Sequence, residues 1–236
     1  MPSARTTWRL LVAAALALGG CSGSHGTNDD GGGDGAGGGD GGQIPDGGLT
    51  IPDGGTPPTS LFPLALAADR GSLIAHDGSP FLLHGEAAWS LIVQLNMTDA
   101  MRYLADRRTR GVNALIVNLV ENFYSADPPN NAAGDPPFMA TGDFSTPNEA
   151  YFAHADRVID LAASQGIALL LFPSYLGLMA QEGWRDEMST MGSVQGAPKC
   201  SSYGTFLGQR YADKKNIIWI WGGDYTPDTA HKPFRH

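Results

Sequence analysis

Cysteine is scarce in this chain, which has only Cys21 and Cys200 among its 236 residues. Two cysteines exclude a disulfide-rich scaffold, and the sequence contains no Cys-x-x-Cys motif of the kind that often builds zinc sites. If Cys21 is modified, as the segment before it suggests, Cys200 has no partner for an intrachain disulfide. We therefore expect a fold that depends on a hydrophobic core, with no metal and no other cofactor.

Long hydrophobic runs are also missing. The apolar segment at the N-terminus, Leu10–Leu18, has nine residues, whereas a transmembrane helix needs about 20. Arg5 and Arg9 precede this segment, which is the arrangement of a signal peptide. The N-terminus is therefore predicted to direct the chain out of the cytoplasm without spanning a bilayer.

The end of this segment, Leu18-Gly19-Gly20-Cys21, resembles the lipobox of bacterial lipoproteins. In that family the signal is cut before the cysteine, which then carries lipid. The resemblance implies that residues 1–20 are a signal peptide and that Cys21 holds the protein to a membrane surface. The alternative is an ordinary secretory signal. The protein is therefore expected either in the cell envelope or secreted. Within the envelope, Ser22 after the cysteine favours the outer membrane, by analogy with known lipoproteins.

Lysine and arginine do not occur in Ser22–Ser60, which has fifteen glycines and six aspartates. Such a segment buries too little apolar surface to offset its ordering entropy. Residues 21–60 are therefore predicted to form a disordered linker. Its aspartates account for much of the formal net charge of −9, and an acidic chain of this kind argues against nucleic acid as a partner.

The remaining segment, 61–236, alternates apolar runs with amphipathic helices and is long enough for one domain with a core. The apolar runs that are typical of buried strands are 81–83, 114–120, 167–172 and 217–221. The predicted helices begin after N-caps at Thr98 and Thr146, and a third covers about 202–211. This alternation predicts an α/β fold with a parallel sheet. Four such strand–helix units are visible, and the segment is too short for a full (β/α)₈ barrel, which takes roughly 250 residues.

Acidic residues follow three of the predicted strands, namely Glu86, Glu121 and Asp224. Because the C-terminal ends of parallel strands lie at one face of the sheet, these carboxylates are expected to converge. Gly222 and Gly223 precede Asp224 and leave room for a ligand near the backbone. Asp224 is therefore the predicted catalytic residue, and the alternative is a turn residue that caps the next helix.

Four segments carry a resemblance to a known family over about residues 66–227. They are Phe81–Trp89, Tyr103–Arg107, Pro147–Phe152 and Asn216–Asp224. In this order and spacing they resemble the apiosidase-like glycoside hydrolases. Glu86 departs from the pattern, since many relatives have aspartate there.

The resemblance implies a TIM-barrel-like enzyme that cleaves glycosidic bonds of plant-type polysaccharides with two carboxylates. It implies that Asp224 is the general acid/base and that the nucleophilic glutamate lies on a later strand, which this sequence does not contain. We therefore expect a truncated barrel that is inactive alone.

Several further residues are candidates for substrate binding. They are Glu86, Trp89, Asn118, Glu121, Tyr175 and Trp221. The aromatic residues among them either belong to the core or offer platforms for sugar rings. Asn118 either bonds a neighbour or faces the pocket, and Glu121 is either a solvated loop residue or a ligand-binding one.

A second hypothesis is a non-catalytic carbohydrate-binding surface lipoprotein or a truncated pseudoenzyme. Carbohydrate is the expected partner under both hypotheses, and the lipid at Cys21 supplies the membrane contact. Four β/α units alone have open sheet edges, which favour pairing with another chain. Self-association through these edges is therefore expected.

Overall fold

The structure, a computed structural model, describes residues 61–178, 182–190 and 196–224, which belong to one compact unit spanning Pro52–His236. The predicted signal peptide, the linker and Cys21 lie outside the described residues. Within the described ranges, no helix is both long and apolar enough to cross a membrane.

The described residues form two sheets. The first has three short antiparallel strands in the order β1 (Ala65–Leu66), β2 (Leu73–Ile74) and β3 (Pro80–Phe81). The second has four parallel strands in the order β4 (Gly85–Ala87), β5 (Ala114–Asn118), β6 (Ala168–Phe172) and β7 (Ile217–Trp219). Parallel strands in sequential order, joined through helices, confirm the predicted TIM-barrel-like α/β fold. Self-association through the outer strands β4 and β7 stays a prediction.

In the part of the chain that the structure describes, five helices connect and cover these strands. They are α1 (Leu91–Gln94), α2 (Met97–Thr109), α3 (Glu149–Ser164), α4 (Arg185–Thr190) and α5 (Gly196–Arg210). Their apolar faces pack on one face of the parallel sheet, where Leu115 and Leu169 are fully buried. On the opposite face, Ala114 and Ala168 pack against Phe62 from the start of the domain.

The N-caps of α2 and α3 differ from the predicted ones. Asn96, and not Thr98, caps α2 by accepting a hydrogen bond from the backbone of Asp99 at 3.0 Å. Asn148, and not Thr146, caps α3 by accepting from the backbone of Ala150 at 3.2 Å. In both cases the asparagine amide oxygen satisfies a backbone donor that the first helical turn leaves free.

The first parallel strand lies four residues later than predicted, at Gly85–Ala87. The apolar run before it is not buried, since Leu82 has 83% of its surface exposed. The side chain of Asn113 accepts from the backbone of His84 and donates to the carbonyl of Leu82, both at 2.8 Å. These bonds hold residues 82–84 as an extended lead into β4, so Glu86 lies within the strand and not beyond its end.

The long segment between β5 and α3 is anchored by aromatic side chains. Phe138 and Phe144 are buried with ring centroids 4.5 Å apart, and both also contact Trp184 and Tyr203. Burial of large aromatic rings contributes strongly to stability. The rings therefore hold the long connection between β5 and α3 against the domain.

Arg210 links α5 to α3 through charged hydrogen bonds. Its guanidinium contacts both carboxylate oxygens of Glu149 at 2.7 Å and donates from Nη2 to Asp156 at 2.8 Å. It also lies over the rings of Phe152 and Phe206, 5.9 and 5.6 Å from their centroids. Since planar two-point contacts are the strong form of ion pair, Arg210 clamps the two helices together.

An Arg210→Met variant is expected to lower the free energy of unfolding by about 2 kcal/mol, because it leaves the partly buried Asp156 without its partner. For a domain of this size the melting temperature should fall by roughly 4–8 °C. The matched control is Arg157→Met on the exposed side of α3, which should stay within about 0.5 kcal/mol. Equal melting temperatures for the two variants would contradict the clamp.

Candidate active site

Two glycines shape the turn that follows β7. Gly222 and Gly223 have φ angles of 108° and 136°, in a region that residues with a side chain rarely adopt. A Cβ atom on Gly223 would lie 2.6 Å from the ring of Tyr175, so only glycine allows this approach. The backbone of Leu176 donates to the carbonyl of Gly222 at 3.0 Å. The turn is thereby bound to the segment that follows β6, and Asp224 comes next.

Asp224 is held by the side chain of Tyr175. The tyrosine hydroxyl donates to Oδ2 of Asp224 at 2.7 Å. Burial, followed by the hydrogen bond and the negative charge of Asp224, raises the pKa of Tyr175, so its hydroxyl stays protonated as a donor. Asp224 itself is exposed. Its carboxylate is thus oriented at one oxygen and accessible from outside.

Glu121 occupies a buried position three residues after the end of β5. Only 1% of its surface is exposed, and Oε2 accepts a hydrogen bond from Ser90 at 2.6 Å. The other oxygen, Oε1, is buried without a hydrogen-bond partner among the described residues. A buried carboxylate oxygen without a donor is costly. It is therefore placed to accept a hydrogen bond from a ligand.

Asn118 and Trp89 lie beside this carboxylate. The backbone of Asn118 donates to the carbonyl of Trp89 at 2.8 Å, and Ser90, the next residue, holds Glu121. The amide oxygen of Asn118 is buried and, within the described residues, also lacks a donor. Trp89 stacks on Phe172 with ring centroids 5.5 Å apart. The loop after β4 and the end of β5 thus form one wall of the site.

A row of aromatic rings connects this wall with Asp224. Trp89 contacts Tyr175 at 5.6 Å between centroids, and Tyr175 contacts Tyr124 at 6.3 Å. The pKa of Tyr124 is raised by partial burial, by a hydrogen bond to Glu182 and by the charges of Glu182, Asp224 and Glu121. Glu121 and Asp224 are therefore both near enough to Tyr124 to act on it electrostatically.

Glu86 does not lie with Glu121 and Asp224. The expected convergence of three carboxylates is therefore wrong for Glu86. It pairs in register with Leu115 and shares the face of the sheet that meets the helices. Its carboxylate accepts hydrogen bonds from Tyr103 and from Arg107 of α2, the latter at 3.1 Å. The reason is the position of β4, since a residue inside a strand points to one face of the sheet.

Trp221, a candidate for substrate binding, lies after the end of β7, and three further residues of the site were not predicted from the sequence. Trp221 has 52% of its surface exposed immediately before the glycine pair. Sequence reasoning missed Ser90, Phe123 and Tyr124. Phe123 and Tyr124 directly follow Glu121-Asn122, and two aromatic residues at a strand end were the signal that could have identified them.

The arrangement suits proton transfer and sugar binding. An exposed, oriented carboxylate is a general acid or base, and buried oxygens without donors suit the hydroxyl groups of a sugar. Among residues 61–178, 182–190 and 196–224, no three His, Cys, Asp or Glu side chains are grouped to hold a metal ion. A parallel α/β sheet with polar side chains past its C-terminal strand ends is the architecture of (β/α)-barrel enzymes.

Comparison with known families identifies the chain more closely. Residues 67–235 match the family model described as the apiosidase-like catalytic domain. The protein belongs to this family. Comparison with curated protein sequences gave no match.

Solved structures with a similar fold are glycoside hydrolases by name. One, titled a glycoside hydrolase, is 27% identical with a TM-score of 0.58, and the match covers 74% of this chain and 37% of that one. A glycoside hydrolase family 5 protein from Bacteroides vulgatus is 25% identical with a TM-score of 0.57, at 72% and 35% coverage. The chain thus spans a little over a third of the length of these structures.

Proposed function

We propose that this protein is a glycoside hydrolase that acts on side chains of plant-type polysaccharides, with Asp224 as its general acid/base. The glycosidase-type fold and the family membership support a carbohydrate substrate. The observation that carries the proposal is the contact of Asp224 with Tyr175, since it orients an exposed carboxylate at the end of β7. The polysaccharide class comes from the family resemblance.

The other residues of the site are proposed to bind the sugar. The buried acceptors of Glu121 and Asn118 would receive hydrogen bonds from sugar hydroxyls. Trp89 and Trp221 offer aromatic surface to the C–H faces of the ring. Tyr175 is 6% exposed, so its part is to hold Asp224 and to present its ring edge.

The proposed reaction begins when Asp224 transfers a proton to the glycosidic oxygen as the bond to the anomeric carbon breaks. A second carboxylate attacks that carbon or activates a water molecule. The family resemblance places this second group on a strand later than β7. The mechanism therefore assigns the nucleophile to none of the described residues.

The experiment for this function uses the protein expressed from its own gene together with any coding sequence that continues the barrel after β7, because the second carboxylate is proposed to lie there. It measures whether this protein hydrolyses oligosaccharides obtained from pectin. Release of reducing sugar, followed by chromatography of the products, is the supporting result. Binding to these oligosaccharides without any hydrolysis would favour the second hypothesis, a non-catalytic carbohydrate-binding protein. Absence of both would overturn the proposal.

The proposal includes a lipid anchor at Cys21, which the motif Leu18-Gly19-Gly20-Cys21 supports. A Cys21→Ser variant is expected to move from the membrane fraction to the soluble fraction of the cell envelope, because the acyl chains provide the attachment. Cys200→Ser is the matched control and should stay with the membrane. If the Cys21→Ser variant also stays, the anchor is elsewhere or absent.

A further inference from the structure

Phe123 and Tyr124 form an exposed aromatic pair at the edge of the candidate site. Each has 51% of its surface exposed. Their rings meet edge to face, with centroids 5.1 Å apart and an interplanar angle of 83°. In this geometry the ring that contributes its edge keeps both faces clear of its partner. The pair therefore offers an aromatic face to a ligand.

The pair is continuous with the carboxylate assigned to catalysis. Tyr124 contacts Tyr175 at 6.3 Å, and the hydroxyl of Tyr175 donates to Asp224. Phe123 is one further ring contact away from Asp224. A sugar on this pair would thus lie beyond the unit that meets Asp224, along the same substrate.

The charges around Tyr124 select among sugars. The carboxylate of Asp224 is linked to Tyr124 through one ring, that of Tyr175, which contacts Tyr124 at 6.3 Å and donates to Asp224 at 2.7 Å. The carboxylates of Glu182 and Glu121 also act on the Tyr124 hydroxyl, whose pKa they help to raise. Carboxylates accept hydrogen bonds from sugar hydroxyls and repel a second carboxylate nearby. A uronic acid is therefore disfavoured at this position, and a neutral sugar is favoured.

We infer that Phe123 and Tyr124 form a subsite for a neutral sugar unit of the substrate, next to the unit whose bond is cleaved. This inference rests on the proposed function, because that function supplies the carbohydrate. Stacking of an aromatic ring on the C–H face of the sugar provides the affinity, and the nearby carboxylates provide the selectivity.

Affinity for the neutral probe is measured by calorimetry in the Asp224→Asn background, which prevents turnover during the titration. The two probes are compared in the native protein through their inhibition of its initial rate, so that Asp224 keeps its charge. The probes are neutral oligosaccharides released from pectin side chains and, separately, oligogalacturonides. Adding Phe123→Ala or Tyr124→Ala should weaken binding of the neutral probe by about 3- to 10-fold. Tyr124→Phe keeps the ring and should restore binding. Met139→Ala, an exposed apolar residue on the same long segment, is the control and should bind as the background does.

The outcomes separate this inference from the function on which it rests. If the background variant binds neither probe and the native protein hydrolyses neither, the proposed function fails. If the neutral probe binds but Phe123→Ala and Tyr124→Ala leave its affinity unchanged, the subsite alone is overturned. A lower melting temperature at unchanged affinity would assign the pair a structural role instead, and tighter binding of oligogalacturonides would overturn the preference for a neutral sugar.

Discussion

An Asp224→Asn variant is expected to lose at least about 100-fold in kcat on pectin-derived oligosaccharides, because removing a general acid costs about 10²- to 10⁴-fold. The measurement is the initial rate of hydrolysis by the protein expressed from its own gene. Asparagine keeps the size of the side chain, and its amide oxygen still accepts the hydrogen bond from Tyr175. The melting temperature should therefore stay close to that of the native protein.

The leaving group of the substrate provides the control for this variant. An activated aryl glycoside of the same sugar releases a stable phenolate and needs little protonation. Asp224→Asn should therefore retain a much larger fraction of its activity on the aryl glycoside than on the oligosaccharide. An equal loss on both substrates would show that Asp224 does not act as the acid, and an unchanged rate on the oligosaccharide would remove it from the mechanism.

A Gly223→Ala variant should lose activity to a similar extent although it leaves every catalytic group in the chain. The new methyl carbon would lie 2.6 Å from the Tyr175 ring, and the φ angle of 136° is strained for alanine. Either the turn or the tyrosine must move, and Asp224 would move with it. A displacement of about 1 Å at a catalytic group can cost roughly 100-fold in rate.

Gly208→Ala is the matched control for this substitution. Gly208 lies in α5, and a Cβ atom there meets nothing within 4 Å. Alanine is favoured over glycine inside a helix by about 1 kcal/mol, so this variant should be as active as the native protein and at least as stable. If Gly223→Ala behaves like Gly208→Ala, the turn after β7 does not position Asp224.

Gly222 and Gly223 illustrate what could be predicted from the sequence. Their position after an apolar run made Asp224 the catalytic candidate, because apolar runs and glycines are local signals. The contact that orients Asp224 was not predictable in this way. Tyr175 lies 49 residues earlier in the chain, and its distance from Asp224 depends on the pairing of β6 with β7.

Glu86 and Glu121 show what could not be predicted from the sequence. Both acidic residues were expected at the same face of the sheet, yet Glu86 contacts α2 and Glu121 is buried at the end of β5. The difference comes from a shift of β4 by four residues, which the apolar run 81–83 did not reveal. A residue beyond the end of a strand can turn toward the site, whereas a residue within the strand points to one face of the sheet. For Glu86 this is the face that packs against α2.

The alternation of strands and helices, the parallel sheet and the family could be predicted from the sequence, because they depend on the spacing of apolar residues and on motifs close together in the chain. Which polar groups contact one another became visible only in the folded protein. The tertiary structure joined Tyr175 to Asp224 and Ser90 to Glu121, and it put Phe123 and Tyr124 beside them. Such contacts depend on strand register and on the path of loops, and residues far apart in sequence acquire a common neighbourhood only when the sheet has formed.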